Sequence, residues 1–217
     1  MRPERVVVVL GTGTGVGKTW VSAKVLARLT AAGATVAARK PVQSHPPCDP
    51  ETDADILALA SGEPPGEVCP PHRSYAVAMA PPIAAAFLGM APPALDELLG
   101  EVAWPDHRVD VGLVETAGGP RSPIAADADS AALAAALDPD LAVLVAPAGL
   151  GAINAVRLSA AAAPRPLVVF LNHFDSGDVA DRNRRWLQAD GFDVVVDVTE
   201  LARRVGAKKP PALPAAR

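Results

Sequence analysis

GTGTGVGKT, residues 11–19, closes the apolar run Val6-Val-Val-Val-Leu10 and opens a stretch with helical spacing. A strand, a glycine-rich turn and a helix that starts at Gly-Lys-Thr form a phosphate cradle. Backbone N–H groups at the helix N-terminus face an anion, and the lysine reaches across it. In the usual pattern, G-x4-G-K-[ST], the first glycine would stand at position 12, which holds Thr12. Here Gly11 precedes Gly17-Lys18-Thr19 by five residues, one more than usual. A glycine-rich β–α turn without a ligand is the plainer alternative, but it leaves unexplained an ammonium and a hydroxyl suited to phosphate and magnesium.

Outward from this loop, strand and helix patterns alternate. Arg5 to Leu10 lacks the polar alternation of a one-faced strand and reads as buried on both faces. Lys18 to Ala31 reads as a helix, with Val21, Val25, Leu26 and Leu29 at helical spacing and Gly33 as its stop. Ala34 to Arg39 reads as the second strand of a β-α-β unit. Further strands are expected at Val109–Val114, Leu141–Ala146, Leu167–Leu171 and Phe192–Val196. Between them, helices are expected at Asp53–Ala60, Pro81–Gly89, Pro93–Val102, Ala128–Leu137, Gly151–Ala162 and Val179–Asp190, with residues 62–73 irregular. This alternation predicts an α/β fold: a doubly wound, mainly parallel sheet of the P-loop NTPase kind, with ligands at the carboxyl ends of its strands.

At 217 residues the chain suits one P-loop α/β domain over 1–217, and its proline-rich, basic end (198–217) is expected to be a loosely ordered tail. Half of the residues are apolar and a fifth are charged, which argues against disorder. A net charge of −4 gives no reason to expect nucleic acid or an anionic membrane as a partner. No apolar run is long enough for a membrane span or a signal-peptide core, so the expected location is the cytoplasm. Two cysteines do not make a disulfide framework. Five lysines stand against fifteen arginines, so Lys18 and Lys40 depart from the chain's habit and suggest that a compact ammonium is needed at each.

A phosphoryl-transfer site needs carboxylates for magnesium. Glu115 follows strand Val109–Val114, where a metal-directed acid belongs, and Asp55 sits at a helix start; either could instead be a helix cap or a solvated charge. Lys40 ends the second strand and precedes Pro41, so its backbone is held extended and its ammonium can point toward the loop mouth. The alternative there is a solvated surface lysine. A separate pattern, His45-Pro-Pro-Cys48 and Cys69-Pro-Pro-His72, has zinc-compatible ligands and local spacing, but both halves lie in proline-rich loops and a chance pairing explains them as well.

Together, GTGTGVGKT at 11–19, KPVQS at 40–44, TDAD at 52–55, MAPPIAA at 79–85, VETAGG at 114–119, GLGAIN at 149–154 and Asn172 resemble the dethiobiotin synthetases, in family order. The lengthened loop is itself a trait of that family. The resemblance implies an ATP- and Mg2+-dependent ligase acting on 7,8-diaminononanoate and CO2. One amine becomes a carbamate, ATP phosphorylates it, and the second amine displaces phosphate to close a cyclic urea. By motif position, Gly13, Thr14, Gly15, Val16, Gly17, Lys18 and Thr19 would cradle the nucleotide, with Lys18 on the transferred phosphate. Thr19, Asp55 and Glu115 would hold magnesium. Lys40 would neutralise charge as the carbamate attacks, with Thr14 and Ser44 beside it, and Asn172 would read the base. The family is homodimeric; Gly151, Ile153 and Asn154 match the segment that binds the substrate's carboxylate tail across the dimer, and Gly118 belongs to an interface loop.

The chain departs from the family pattern at Thr116, where a glycine is usual and a β-branched side chain would resist positive φ. It also departs in the HPPC loop after Ser44, and after Val196, where the usual proline-led segment is missing. Two other readings remain in view. A paralogue could cyclise a different diamine. A partition-type nucleotide-switch ATPase would normally carry an extra lysine early in the loop, where this chain has only Thr and Gly.

Overall fold

Val6 to Leu10 form the centre of the molecule because none of these five side chains is more than 2% exposed. Burying each contributes about 1.5–3 kcal/mol. The structure, a computed structural model, describes residues 1–175 and 177–207. In chain order its elements are β1 (Arg5–Gly11), α1 (Lys18–Ala31), β2 (Val36–Arg39), β3 (Gln43–Ser44), α2 (Asp53–Ser61), α3 (Pro65–Val68), β4 (Ser74–Tyr75), α4 (Pro81–Phe87) and α5 (Leu95–Glu101). They continue with β5 (Val111–Glu115), α6 (Ser130–Ala136), β6 (Leu141–Pro147), α7 (Ala152–Ala160), β7 (Leu167–Asn172), α8 (Asp178–Ala189), β8 (Asp193–Val195) and α9 (Val198–Gly206).

Six strands form one sheet in the order β2-β5-β1-β6-β7-β8, and every pairing in it is parallel. Helices cover both faces, as the alternation of patterns predicts. Successive side chains of a strand point to opposite faces, and β1 shows it. Val7 and Val9 join the core made with α1, α2 and α9, while Val8 and Leu10 join the core made with α7 and α8. A third cluster gathers Val42, Tyr75, Ala84, Leu98, Ile124 and Leu133 over the carboxyl end of β5. With β5 on one side and β6 on the other, the loop after β1 lies where an open α/β sheet forms its ligand crevice.

The structure differs from the sequence reading at several places. Residues 198–206, expected as loosely ordered, form α9: Asp197 accepts a hydrogen bond from the Glu200 N–H as an N-cap, and Val198, Leu201, Ala202 and Val205 are buried. The prolines behind that expectation all lie later, at 210, 211 and 214, so the i, i+3, i+4, i+7 apolar pattern before them is uninterrupted. The rest of the expected tail, 208–217, lies outside the described residues. The irregular stretch 62–73 contains α3 and a 3-10 turn, Pro71–Arg73. The short parallel pair β3–β4 has no periodic signature, since two-residue strands are too short to show one. Among the described residues no helix is long and apolar enough to cross a membrane.

Strand β2 lies at the edge of the sheet, and a charged pair completes it. Glu63 accepts a hydrogen bond from the Ala38 N–H at 2.7 Å and from the Arg39 guanidinium at 2.7 Å, with both side chains nearly buried. The Arg39 guanidinium also lies 5.2 Å from the centroid of the Trp104 ring. The next residue, Lys40, has its N–H on the Val68 carbonyl at 2.7 Å, so this clamp aims the Lys40 side chain. Glu63→Ala should lower the unfolding free energy by about 3–5 kcal/mol, because it strands a buried guanidinium and an edge N–H. A urea titration that finds a loss below about 1 kcal/mol would show the pair to be dispensable.

Candidate active site

The loop after β1 is shaped by glycines. Gly17, the residue before α1, has φ 91° and ψ 27°, and a Cβ placed there would come 2.2 Å from Asn172 Nδ2. Only glycine fits this backbone in this space. Gly17 offers no side-chain cap, which leaves the first N–H groups of α1 available to an anion. Lys18 curls back so that its Nζ donates to the carbonyls of Gly13 at 3.2 Å and Gly118 at 3.1 Å. It thus joins the loop after β1 to the loop after β5. Burial, and then the charge of Lys40, push the Lys18 ammonium down to about 8, against the opposing pull of Glu115 and Asp53. An anion beside it would raise it again.

Behind Lys18 four polar side chains meet. Thr19 Oγ1 lies 2.8 Å from Asp53 Oδ1 and 2.8 Å from Glu115 Oε1. Lys40 Nζ lies 2.7 Å from Glu115 Oε1 and 2.8 Å from Asp53 Oδ2. Glu115 is fully buried, and its second oxygen accepts from Ser22 Oγ at 2.8 Å. Burial disfavours the Lys40 charge, but Glu115 and Asp53 outweigh it and hold the ammonium well above the usual lysine range. Burial likewise opposes ionisation of Asp53, while Lys40 and Thr19 hold its carboxyl below the usual range. The Thr19 hydroxyl has one proton for two carboxylate oxygens, so oxygens gather here beyond what hydrogen bonding alone uses. A hydroxyl with two carboxylates is a hard-oxygen donor set that fits Mg2+.

Thr14, Lys18, Thr19, Lys40, Ser44, Asp53 and Gly118 all line one cleft of about 670 Å³. Gly15 and Gly17 line it as well, and Gly13 contributes its carbonyl to Lys18. Val16 is buried beneath the loop, its side chain against Gly11. Ser44 Oγ donates to the Met79 carbonyl.

Asp55 is not brought to this cluster. It forms a capping box with Thr52: the Thr52 hydroxyl and N–H donate to Asp55 Oδ2 at 2.7 and 2.8 Å, and the Asp55 N–H returns to Thr52 Oγ1 at 3.3 Å. Two residues apart on a helix are about 200° apart around its axis, so only one acid of TDAD can face Thr19, and it is Asp53. The signal was present in the sequence: Thr52-x-x-Asp55 is itself a capping pattern. Gln43 sets the start of this helix by accepting from the Ala54 N–H at 2.9 Å while donating to Ser74 Oγ at 2.9 Å. Neither Ser22 nor Gln43 is legible in the sequence, since neither side chain titrates or belongs to a metal-ligand pattern.

Gly151, Ile153 and Asn154 line a different recess at the start of α7, together with Arg157, Leu158 and Asn183. Asn172 is buried behind the phosphate loop, where its Nδ2 donates to the Val16 carbonyl at 3.0 Å. Thr116 causes no conflict: its backbone is not among those with positive φ, and its hydroxyl donates to the Val9 carbonyl at 3.2 Å. The His/Cys pattern is dispersed. Cys48 is exposed, Cys69 is buried with its thiol pushed up to about 12 by burial, and His72 bonds Glu101 at 3.1 Å. Among the described residues no group of three or more His, Cys, Asp or Glu side chains is placed to hold a metal.

Residues 5–175 match the family model described as "AAA domain". The chain is 36% identical over 180 residues to the ATP-dependent dethiobiotin synthetase BioD of Haloferax mediterranei, covering 80% of this chain and 74% of that one. It is 39% identical over 164 residues to the enzyme of the same name from Chromohalobacter salexigens, covering 71% and 66%. Among solved structures, the signal recognition particle receptor FtsY of Elizabethkingia anophelis superposes with TM-score 0.51 at 18% identity, covering 95% of this chain and 67% of that one. A putative plasmid partition protein of Borrelia burgdorferi bound to AMPPNP gives 0.55 at 13% identity, covering 94% and 97%. At these identities the two structures share the fold with this chain.

Asp53→Asn should sharply weaken Mg2+-dependent binding of a fluorescent nucleotide, whereas Asp55→Asn should cost only about 1 kcal/mol of helix capping. Ser22→Ala, which leaves Glu115 Oε2 without its donor, should weaken the metal-dependent part by about 10–100-fold. An Asp55→Asn chain that loses metal-dependent binding, beside an Asp53→Asn chain that keeps it, would reverse the assignment.

Proposed function

Because the chain belongs to the ATP-dependent dethiobiotin synthetase family, we propose that it carboxylates 7,8-diaminononanoate with CO2 and closes the cyclic urea at the expense of ATP. It is an ATP-dependent cyclo-ligase, and the observation that carries the residue-level reading is the meeting of two lysines, Asp53 and the Thr19 hydroxyl in one cleft, with the buried Glu115 carboxylate bonded directly to Thr19 and Lys40. The nitrogen of one amine attacks CO2 and loses a proton, which gives a carbamate. A carbamate oxygen then attacks the γ-phosphorus and ADP leaves. The second amine attacks the carbonyl carbon of the resulting mixed anhydride and gives up a proton, and phosphate departs as the ring closes.

Each step moves negative charge through the cleft, and the residues proposed to act are those that can compensate it. Lys18 draws the transferred phosphoryl group toward the N-terminus of α1. Lys40 screens the repulsion between carbamate and phosphate, two anions that must meet. Thr14 and Ser44 offer hydroxyls to the carbamate. Thr19, Asp53 and Glu115 would hold Mg2+, which supplies charge neutralisation for the triphosphate when bound. Positioning and fixed charge can supply most of such a barrier, because the carbamate oxygen is already a nucleophile and needs no base.

The recess at Gly151, Ile153 and Asn154 is separate from the cleft, which supports a homodimer in which these residues serve the partner's substrate tail. Exposed Ile83, Phe87, Leu88 and Met90 give apolar surface for such a contact. One observation favours a second reading, a different diamine. The loop at 45–52 that departs from the family pattern lines the cleft directly, through His45, Pro46, Asp49 and Glu51.

Phosphate release with Mg-ATP should require both diaminononanoate and bicarbonate. Release indifferent to both would identify a switch ATPase, and nucleotide binding without release would favour the alternative diamine. Lys18→Ala should abolish turnover with the fold intact by circular dichroism, and Lys40→Ala should abolish turnover of the chain that remains folded; full activity in Lys40→Ala would remove Lys40 from the mechanism.

A further inference from the structure

Glu115 can offer a metal ion only one of its oxygens. Oε2 faces Ser22 in the buried interior, so Oε1 is the oxygen turned to Thr19 and Asp53. That same Oε1 is 2.7 Å from Lys40 Nζ. The ammonium is fully engaged, with Asp53 Oδ2 at 2.8 Å and the Thr116 carbonyl at 3.4 Å. Lys40 is 2% exposed, and its backbone is tied by the hydrogen bond to Val68 and by the proline that follows. This ammonium cannot drift into solvent as a surface lysine would.

We propose that Lys40 and the divalent cation compete for the Asp53–Glu115 carboxylate pair, so that metal enters only when an anion draws Lys40 away. The proposal rests on the magnesium site read above. Mg2+ takes oxygens at about 2.0–2.1 Å, and a dication seated on Oε1 would stand against an ammonium that shares the same oxygen. The cluster of Lys18, Lys40, Asp53 and Glu115 is already balanced, two positive charges against two negative, and a metal ion alone would overload it. Metal that arrives on a polyphosphate brings its own negative charge. Lys40 then exchanges a carboxylate partner for a phosphate or carbamate oxygen, within the reach of its four-carbon stem. The lysine that screens the reacting anions thus leaves the carboxylates only as metal and anion arrive together, which links assembly of the site to arrival of the substrates.

The test uses Mn2+ as the probe, read by its paramagnetic resonance signal on purified protein without nucleotide or diamine. Wild type should bind Mn2+ weakly, and Lys40→Met should bind it about tenfold or more tighter, since a repelling charge has left the site. Equal or weaker Mn2+ binding by a folded Lys40→Met chain overturns the proposal. If that variant unfolds because its two carboxylates lack a counter-charge, Mg2+ should restore its circular dichroism and raise its melting temperature far more than it does for wild type. A variant that stays unfolded in saturating Mg2+ also overturns it. Neither readout involves turnover, so failure of the synthetase assay and failure of this competition are distinguishable.

Discussion

Glu115 is a carboxylate with no exposure to water, and much of the site is arranged around that fact. An ionised group buried alone would cost several kcal/mol, yet this one has three donors from two places: Thr19 and Ser22 on α1 and Lys40 after β2. Each donor comes from an element that packs on β5 or pairs beside it. The charge therefore holds the elements in register, and the register keeps the charge satisfied. Lys40 can serve only because the Arg39–Glu63 pair and the Val68 carbonyl fix the end of the edge strand.

The phosphate loop depends on the same neighbourhood. Lys18 folds back onto the carbonyls of Gly13 and Gly118, so the loop after β1 and the loop after β5 form one surface. Asn172, from the end of β7, supports that loop from behind and approaches Gly17 too closely for any other residue there. The cleft is thus assembled from the carboxyl ends of several strands. The carbamate chemistry proposed for it places its charges among groups whose own charges already balance.

Legibility in the sequence followed the range of the interaction. The buried strands, the helix after the phosphate loop and the parallel α/β architecture were readable because periodicity and glycine placement act within a dozen residues. Lys40 and Glu115 are legible because each stands at the end of a strand, and Lys18 and Thr19 because they open the helix that follows the glycine loop. Asp55 stands at a helix start and matches the family motif, but only the rotation of α2 decides which of the two acids in its first turn faces Thr19. α9 was obscured by prolines that lie beyond its end. Ser22 and Gln43 gave no chemical signal; their roles come from where their hydroxyl and amide end up.

The sequence by itself determined that a strand, a lengthened glycine loop and a helix would place Lys18 and Thr19 at the first turn of α1, because those requirements are local to the backbone. It also determined the family, through short motifs kept in order along the chain. Only the tertiary structure decided that Asp53 faces Thr19, that Ser22 engages one oxygen of Glu115, and that Lys40 engages the other. Thr19 and Glu115 are 96 residues apart and Lys40 and Glu115 are 75 apart. Contacts of that range are set by how the helices rotate and dock on the sheet, which depends on the packing of the whole core.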